Sequence, residues 1–474
     1  MRAKRRLQSP DTKQQETAIP SNRVPPGPKP HWLLGNLPEF RRDPLAFLTH
    51  CASMYGDVAC FRILRVPVYL VSRPEYIERV LAAHGRQFVK GRTMRASAPL
   101  LGQGLFTSEG ARWIRLRKLN QPGFRRDRLP AFAQTTVECT QRMAGCWRDG
   151  DTLDIHAAMN DLTVRIVARS LLGIDVEADG EEVGHCLHTV LEQFRAQLDT
   201  GLLIPSGFPT PGNIRMKRAL QRLEGIVARI IRERRSSAQR ADDLLSNLLY
   251  PADPSTALTE QELRDEVMTL LVAGHETTAV SLSWAWYLLS QHPEVEALMA
   301  SEIAGTIGDR PATLDDVPRL PYIHRVLLEV LRLYPPAWTT PRLAVEDCMI
   351  GEFSVPRGTS VTMSQWVMHR DPRYFMDPLA FQPDRWATGL LAQLPRFAYF
   401  PFGGGSRGCI GESFAVAEAI LILATIAQRF RLRHVDQGPV SPWPTLTLQP
   451  AGPVRMKVEK QRLPERRPAG LQHT

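Results

Sequence analysis

The stretch Phe402-Gly403-Gly404-Gly405-Ser406-Arg407-Gly408-Cys409-Ile410-Gly411 carries one cysteine, behind a run of glycines, to the start of AVAEAILILATIA at 415–427, which is apolar nearly all round. That segment reads as a helix buried in protein, since it is too short to cross a bilayer. The glycines let backbone N–H groups approach the sulfur, and the N-terminus of the helix favours negative charge there. Cys409 is therefore expected to be an anionic ligand with a lowered pKa. A phosphate-binding loop is excluded, because the Lys and Ser/Thr that would follow its glycines are absent.

The other six cysteines, Cys51, Cys60, Cys139, Cys146, Cys186 and Cys348, show no C-x-x-C spacing. An odd total of 7 in 474 residues reads as neither a disulfide framework nor a zinc site. With 43% hydrophobic and 23% charged residues the chain can bury a large core, and no repeat or Gly/Ser linker divides it. The net charge of +10 suggests a nucleic-acid partner until it is located. Residues 1–30 hold seven Lys/Arg against Asp11 and Glu16, and residues 455–474 hold six against Glu459 and Glu465. The basicity is thus a property of two tails, and no nucleic-acid partner is expected. A basic arm at 1–24, one folded unit at 25–458 and a basic tail at 459–474 are expected. No membrane span or signal-peptide core is visible, so a cytoplasmic monomer is expected, its arm able to touch an anionic membrane surface weakly.

Periodicity predicts helices near 43–54, 74–84, 130–147, 157–173, 181–199, 214–236 and 321–334, and a strand pair at 57–64 and 67–72. One helix is well marked at both ends. Thr259 with Glu262 makes a capping box, and the pattern runs to Gln291 before Pro293 interrupts it, a span of about 45–50 Å.

The opening stretch matches F-x-x-G-x-R-x-C-x-G and resembles the haem-binding signature of the cytochrome P450 family. The resemblance implies a mainly α fold with small β-sheets, a helical prism around buried haem b whose iron takes Cys409 as axial ligand, with Phe402, Arg407 and Gly411 beside it. Ala273-Gly274-His275-Glu276-Thr277-Thr278 resembles the family's oxygen-activation motif, which implies that Glu276 and Thr277 relay protons to bound dioxygen and that His275 is structural. Glu329 and Arg332 stand at i, i+3 on one helical face, and Phe381-Gln382-Pro383-Asp384-Arg385-Trp386 resembles a later family motif, so Glu329, Arg332 and Arg385 are implied to form a buried ion network. Trp113 and Arg117 match W-x-x-x-R and, with Arg342 and Arg407, are implied to hold the haem propionates.

A monooxygenase is therefore expected, taking O2 as co-substrate and acting on a hydrophobic small molecule of terpenoid, steroid-like or fatty-acyl type. By family position its pocket is lined from Leu100, Leu101, Phe106, Leu202, Ile204, Leu270, Ala273, Ala337, Trp338 and Thr339. The 65 residues after Cys409 are too few for a flavin or ferredoxin domain. Electrons are expected from NAD(P)H through a separate ferredoxin or flavodoxin with its reductase, docking on Arg112, Arg115, Arg117, Lys118, Arg125, Arg126 and Arg128. A peroxide-dependent haem peroxygenase and a non-catalytic haem-bound sensor or ligand carrier are the alternatives.

Overall fold

A computed structural model describes residues 23–83, 86–173, 208–236 and 243–461, with isolated positions between 182 and 193. The basic arm, nearly all of the basic tail and most of the helix expected at 181–199 lie outside the described residues.

The long helix Glu260–Gln291 is the axis of the molecule. Its start is made locally: the Thr259 hydroxyl accepts the N–H of Glu262 at 3.2 Å, and the Glu262 carboxylate accepts the N–H of Thr259 at 3.0 Å. Nearly every residue from Leu263 to Leu289 is buried, which a helix achieves only when other elements surround it. Those elements include the helices Ile155–Leu172, Pro321–Leu333 and Glu412–Ala427. Trp284, Trp286, Ile323, Val326, Leu421 and Leu423 meet in the largest hydrophobic cluster. The helix Leu129–Gly145 covers the cysteine helix through Phe132 against Phe414.

In chain order the strands among the described residues are β1 (Val58–Ile63), β2 (Val66–Val71), β3 (Phe88–Lys90), β4 (Thr152–Asp154), β5 (Thr340–Ala344), β6 (Cys348–Ile350), β7 (Phe353–Val355), β8 (Ser360–Met363), β9 (Phe430–His434), β10 (Pro442–Pro444), β11 (Leu448–Pro450) and β12 (Arg455–Lys460). The expected strand pair forms β1 and β2, and the main sheet runs β1-β2-β8-β5-β3. Two of its five strands thus come from the C-terminal half, where β2 pairs parallel with β8 and β5 pairs antiparallel with β3. This closure places Arg342 of β5 opposite Lys90 of β3. The helix expected at 74–84 is α-helical over Pro74–Glu78 and continues as a π-turn over Arg79–Ala83. Among the described residues no helix is long and apolar enough to cross a membrane.

Candidate active site

The cysteine loop is shaped by its own backbone. Phe402 O accepts the N–H of Cys409 at 3.0 Å, and Gly405 O accepts that of Gly408 at 3.1 Å. Gly405 takes φ +67, and a Cβ on it would collide with the carbonyl oxygen of Leu81 in the π-turn, so the position needs glycine twice over. Gly411 caps the helix Glu412–Ala427. Arg117 Nη1 donates to Gly408 O at 2.9 Å, tying the helix Gly110–Asn120 to the loop.

Cys409 keeps accessible surface although it lies deep in the protein. The expectation of a lowered thiol pKa is reversed: burial pushes it up, outweighing the Gly411 N–H and the Arg117 guanidinium that pull it down. The protein environment alone does not hold this sulfur as a thiolate. A coordinated metal cation would supply the missing stabilisation.

Beside the loop is a group of cations, two of them buried. Arg342 is 5% exposed, and its guanidinium is pushed down to about 10 by burial and by Arg407, against the pull of Glu109. Arg407 pairs with Glu109 at 2.8 Å and lies 5.4 Å from the ring centre of Trp113. Lys90, 4% exposed, donates to Leu105 O at 2.7 Å and Ser108 O at 2.9 Å, and burial pushes it down to about 8. Lys90, Glu109 and the carboxylates Asp265 and Glu266 were not singled out from the sequence. Glu109 stands one helical turn before Trp113, which is the signal that could have found it.

On the long helix Ala273 is exposed and Gly274 and Thr277 are half-buried, along a stretch otherwise buried. Thr277 Oγ1 donates to Ala273 O at 3.0 Å. His275 is buried with Nδ1 2.7 Å from Leu271 O and is pushed down to about 4 by burial, which keeps the ring neutral and fits a structural part. Glu276 departs from expectation. Its Oε1 accepts from Thr447 Oγ1 at 2.8 Å and Gln449 Nε2 at 2.6 Å in and beside the β10–β11 hairpin, and no hydrogen bond joins it to Thr277 among the described residues. Burial raises its pKa, so it is biased toward carrying a proton.

The ion network forms. Glu329 and Arg332 are each fully buried and bonded twice, at 2.9 and 2.8 Å, and Arg385 Nε reaches Glu329 Oε1 at 2.9 Å. Trp386 adds an indole N–H to Glu329 Oε2 at 2.9 Å.

A sequence model of the cytochrome P450 family matches residues 25–458. The chain belongs to the cytochrome P450 family. This P450 is 39% identical to a cyclooctatin synthase of Streptomyces melanosporofaciens over 91% of its own length and 94% of that protein's. It is 40% identical to a cyclooctat-9-en-7-ol 5-monooxygenase of the same organism, over 86% and 89% of the two chains. A pentalenene oxygenase of Streptomyces avermitilis is 33% identical over 88% and 92%. Its fold matches a retinoic acid-bound cyanobacterial CYP120A1 with a TM-score of 0.83 at 25% identity, covering 92% of this chain and 99% of that one. The chain is accordingly a monooxygenase, and family membership implies a haem-thiolate cofactor and use of dioxygen.

The residues of this P450 fit that group. Cys409 is accessible at the end of a loop made to present it, beside the buried Lys90 and Arg342 and the half-buried Arg407. Lys90 and Arg342, both pushed down by burial, are surroundings that haem carboxylates would satisfy. Of the pocket positions, Leu101 and Leu270 are buried, Phe106, Ala337 and Thr339 are half-buried, and Ala273 is exposed. Trp338 is placed in the core with Leu45, Phe47 and Leu70, its indole N–H donating to Thr445 O at 2.9 Å. Leu202 and Ile204 lie outside the described residues, and of Leu100 only its place in the short helix Ala98–Leu101 is described. The basic docking cluster divides. Arg112 and Arg115 are paired with Glu262, Arg117 is turned to Gly408 and Arg128 is half-buried, while Lys118, Arg125 and Arg126 are exposed, Arg125 paired with Asp127 at 3.0 Å.

Proposed function

We propose that this P450 places one oxygen atom of dioxygen on a C–H bond of a hydrophobic terpenoid. It does so in the cytoplasm, with electrons drawn from NAD(P)H through a separate ferredoxin or flavodoxin and its reductase. The observation that carries the reading is Cys409, accessible at the end of its glycine loop, beside the buried cations Lys90 and Arg342 and the half-buried Arg407. The substrate class is supported by two relatives, at 40% and 33% identity, that are named for oxygenating cyclooctat-9-en-7-ol and pentalenene.

When bound, the haem would supply the activation of dioxygen and its insertion into the substrate. Cys409 would hold the iron, while Arg342, Arg407 and Trp113 would hold the carboxylates. Thr277 holds a proton at Oγ1, which it can deliver by turning from Ala273 O toward the accessible side of the helix. Glu276 is the proton store behind it, kept toward its acid form by burial, and it must leave Thr447 and Gln449 to hand that proton on. Leu270 and Phe106 exclude water from the reacting carbon. Lys118, Arg125 and Arg126 attract an acidic electron donor on the side of the molecule where Phe124 packs on Phe414 of the cysteine helix.

The test is the absorption spectrum of the dithionite-reduced protein with carbon monoxide, for wild type and Cys409→Ser, followed by spin-state titration with cyclooctat-9-en-7-ol, pentalenene, lauric acid and progesterone. The expected result is a strongly red-shifted carbonyl band lost in the variant, and a spin shift with the terpenoids at lower concentration than with the others. A band typical of imidazole ligation in both proteins would overturn the ligand assignment, and a spin shift with lauric acid alone would overturn the substrate class.

A further inference from the structure

The loop 101–109 carries Leu101 and Phe106 of the proposed pocket and ends at Glu109, the partner of Arg407. It is pinned to the long helix at successive points. Asp265 Oδ2 accepts the N–H of Gln103 at 2.8 Å, Glu266 Oε2 accepts the N–H of Leu105 at 2.8 Å, and Thr269 Oγ1 donates to Leu101 O at 3.5 Å. Gly102 and Gly104 approach so closely that a Cβ on either would collide with the Asp265 carboxylate or the Thr269 hydroxyl. Lys90 Nζ also holds the loop, through Leu105 O and Ser108 O.

Asp265 and Glu266 are 4% and 0% exposed. Burying two adjacent carboxylates on one helix is costly, and the helix needs neither of them, because its backbone bonds are internal. What the pair does is accept alternate N–H groups of a loop that has no partner strand. Outside the loop lies a cavity of about 430 Å³ lined by Gly102, Gln103, Arg112, Glu224, Arg264 and Asp265, among others. Leu101 lines this cavity as well as the proposed pocket, so the loop borders open space into which it can move.

We propose that Asp265 and Glu266 are positioning residues that latch the loop 101–109 over the substrate pocket, and that release of Gln103 and Leu105 from the two carboxylates lets an apolar ligand enter and leave. The pocket in this statement rests on the proposed function; the latch itself rests on the hydrogen bonds.

The latch is linked to protons. Facing Glu266 are Lys90 of β3, Asn120 of the helix Gly110–Asn120 with Nδ2 at 2.7 Å, the N–H of Leu105, and Asp265 beside it. Asp265 is also met by Gln261 Nε2 at 2.7 Å and by Arg264 at 3.5 Å, while Arg112 and Arg115 are engaged by Glu262 one turn earlier. Burial pushes Glu266 up to about 7 when the latch is closed. Opening returns the carboxyl to water and to its ordinary value, so the closed form binds the proton more tightly and opening is favoured as pH rises. Lys90, pushed down to about 8 and bonded to the same loop, works in the opposite sense, so between pH 6 and pH 8 the open fraction should rise several-fold.

The experiment is amide hydrogen exchange of residues 101–109 in the full-length holoenzyme at pH 6 and pH 8, corrected for the intrinsic exchange rate, for wild type and Glu266→Gln. Dissociation of 4-phenylimidazole is followed in parallel by absorbance. Wild type is expected to lose several-fold protection in this loop at pH 8 while the amides of 270–285 hold theirs. Glu266→Gln is expected to abolish the pH step and to release 4-phenylimidazole faster. A loop whose protection is independent of pH, or changes in step with the whole chain, overturns the latch. The wild-type series decides this even if the variant does not fold. The exchange readout needs no haem chemistry, so a failure of the monooxygenase reading would appear in the carbon monoxide spectrum and leave the latch result intact.

Discussion

Glu329 is the residue on which the core behind the cysteine loop turns. It accepts from Arg332, Arg385, Trp386 and the N–H of Gln382 with no exposed surface, and Arg332 passes its remaining donors to His369 O, Pro378 O and Ala380 O. Removing one partner of such a pair leaves an uncompensated buried charge, so Glu329→Ala should cost about 3–5 kcal/mol and lower the thermal midpoint sharply. Trp386→Phe removes one charge-assisted donor and should cost about 1–3 kcal/mol, measured by urea unfolding. His275 makes a pH prediction. Its pKa is held at about 4, below the ordinary value, so its contribution is present above pH 6.5 and is lost as pH falls toward 4. Glu418, on the cysteine helix beside Thr278, acts in the opposite sense: pushed up to about 8 by burial, it favours the folded state at low pH. Comparing wild type with His275→Gln isolates the histidine. The stability difference between the two should move by about 3 kcal/mol toward the variant from pH 7 to pH 4. The pairing of Glu329, Arg332 and Arg385 was legible because each stands in a recognisable motif. The part played by Trp386 was not, since nothing in its local spacing says which buried acceptor its indole will meet.

At the scale of elements, the long helix begins where its capping box says it should, because both bonds of the box lie within four residues and need no tertiary partner. Thr259→Ala should cost about 1 kcal/mol, read as a shifted urea midpoint with unchanged slope. The cysteine loop is a different kind of element. Its glycine at 405 is required by the π-turn Arg79–Ala83, more than 300 residues earlier, whose Leu81 carbonyl occupies the space a Cβ would need. Gly405→Ala is therefore expected to displace the loop and lower the haem content of purified protein, measured by absorbance per mole of chain. The glycine run was visible in the sequence, but its neighbour was not. The same holds for Gly104 against Thr269, where the close approach of loop and helix gives the glycine its meaning.

At the scale of the whole molecule the question is how charge is distributed between inside and outside. Of the basic residues at 112–128, those facing Glu262 and Gly408 are taken by internal partners, and the exposed Lys118, Arg125 and Arg126 form the surface proposed for an electron donor. Reversing Arg125 and Arg126 to Glu together should slow reduction by an acidic ferredoxin several-fold at low salt and flatten its dependence on ionic strength. Stopped-flow reduction across a salt series measures both, and unchanged kinetics would remove these two residues from the docking surface.

Sequence alone determined the features whose partners are near in the chain or whose motif is specific: the cysteine loop and its apolar helix, the capped long helix, the first strand pair, and the identities of Glu329, Arg332 and Arg385. Tertiary structure decided everything that depends on burial by distant segments. It closed the main sheet with strands from residues 340–363 and turned Glu276 toward Thr447 and Gln449. It set Asp265 and Glu266 against the loop 101–109 and raised the Cys409 thiol that local geometry alone would have lowered. The physical reason is the same in each case. Spacing along a chain specifies which side chains share a face, whereas desolvation and ion pairing depend on what the rest of the fold brings to that face.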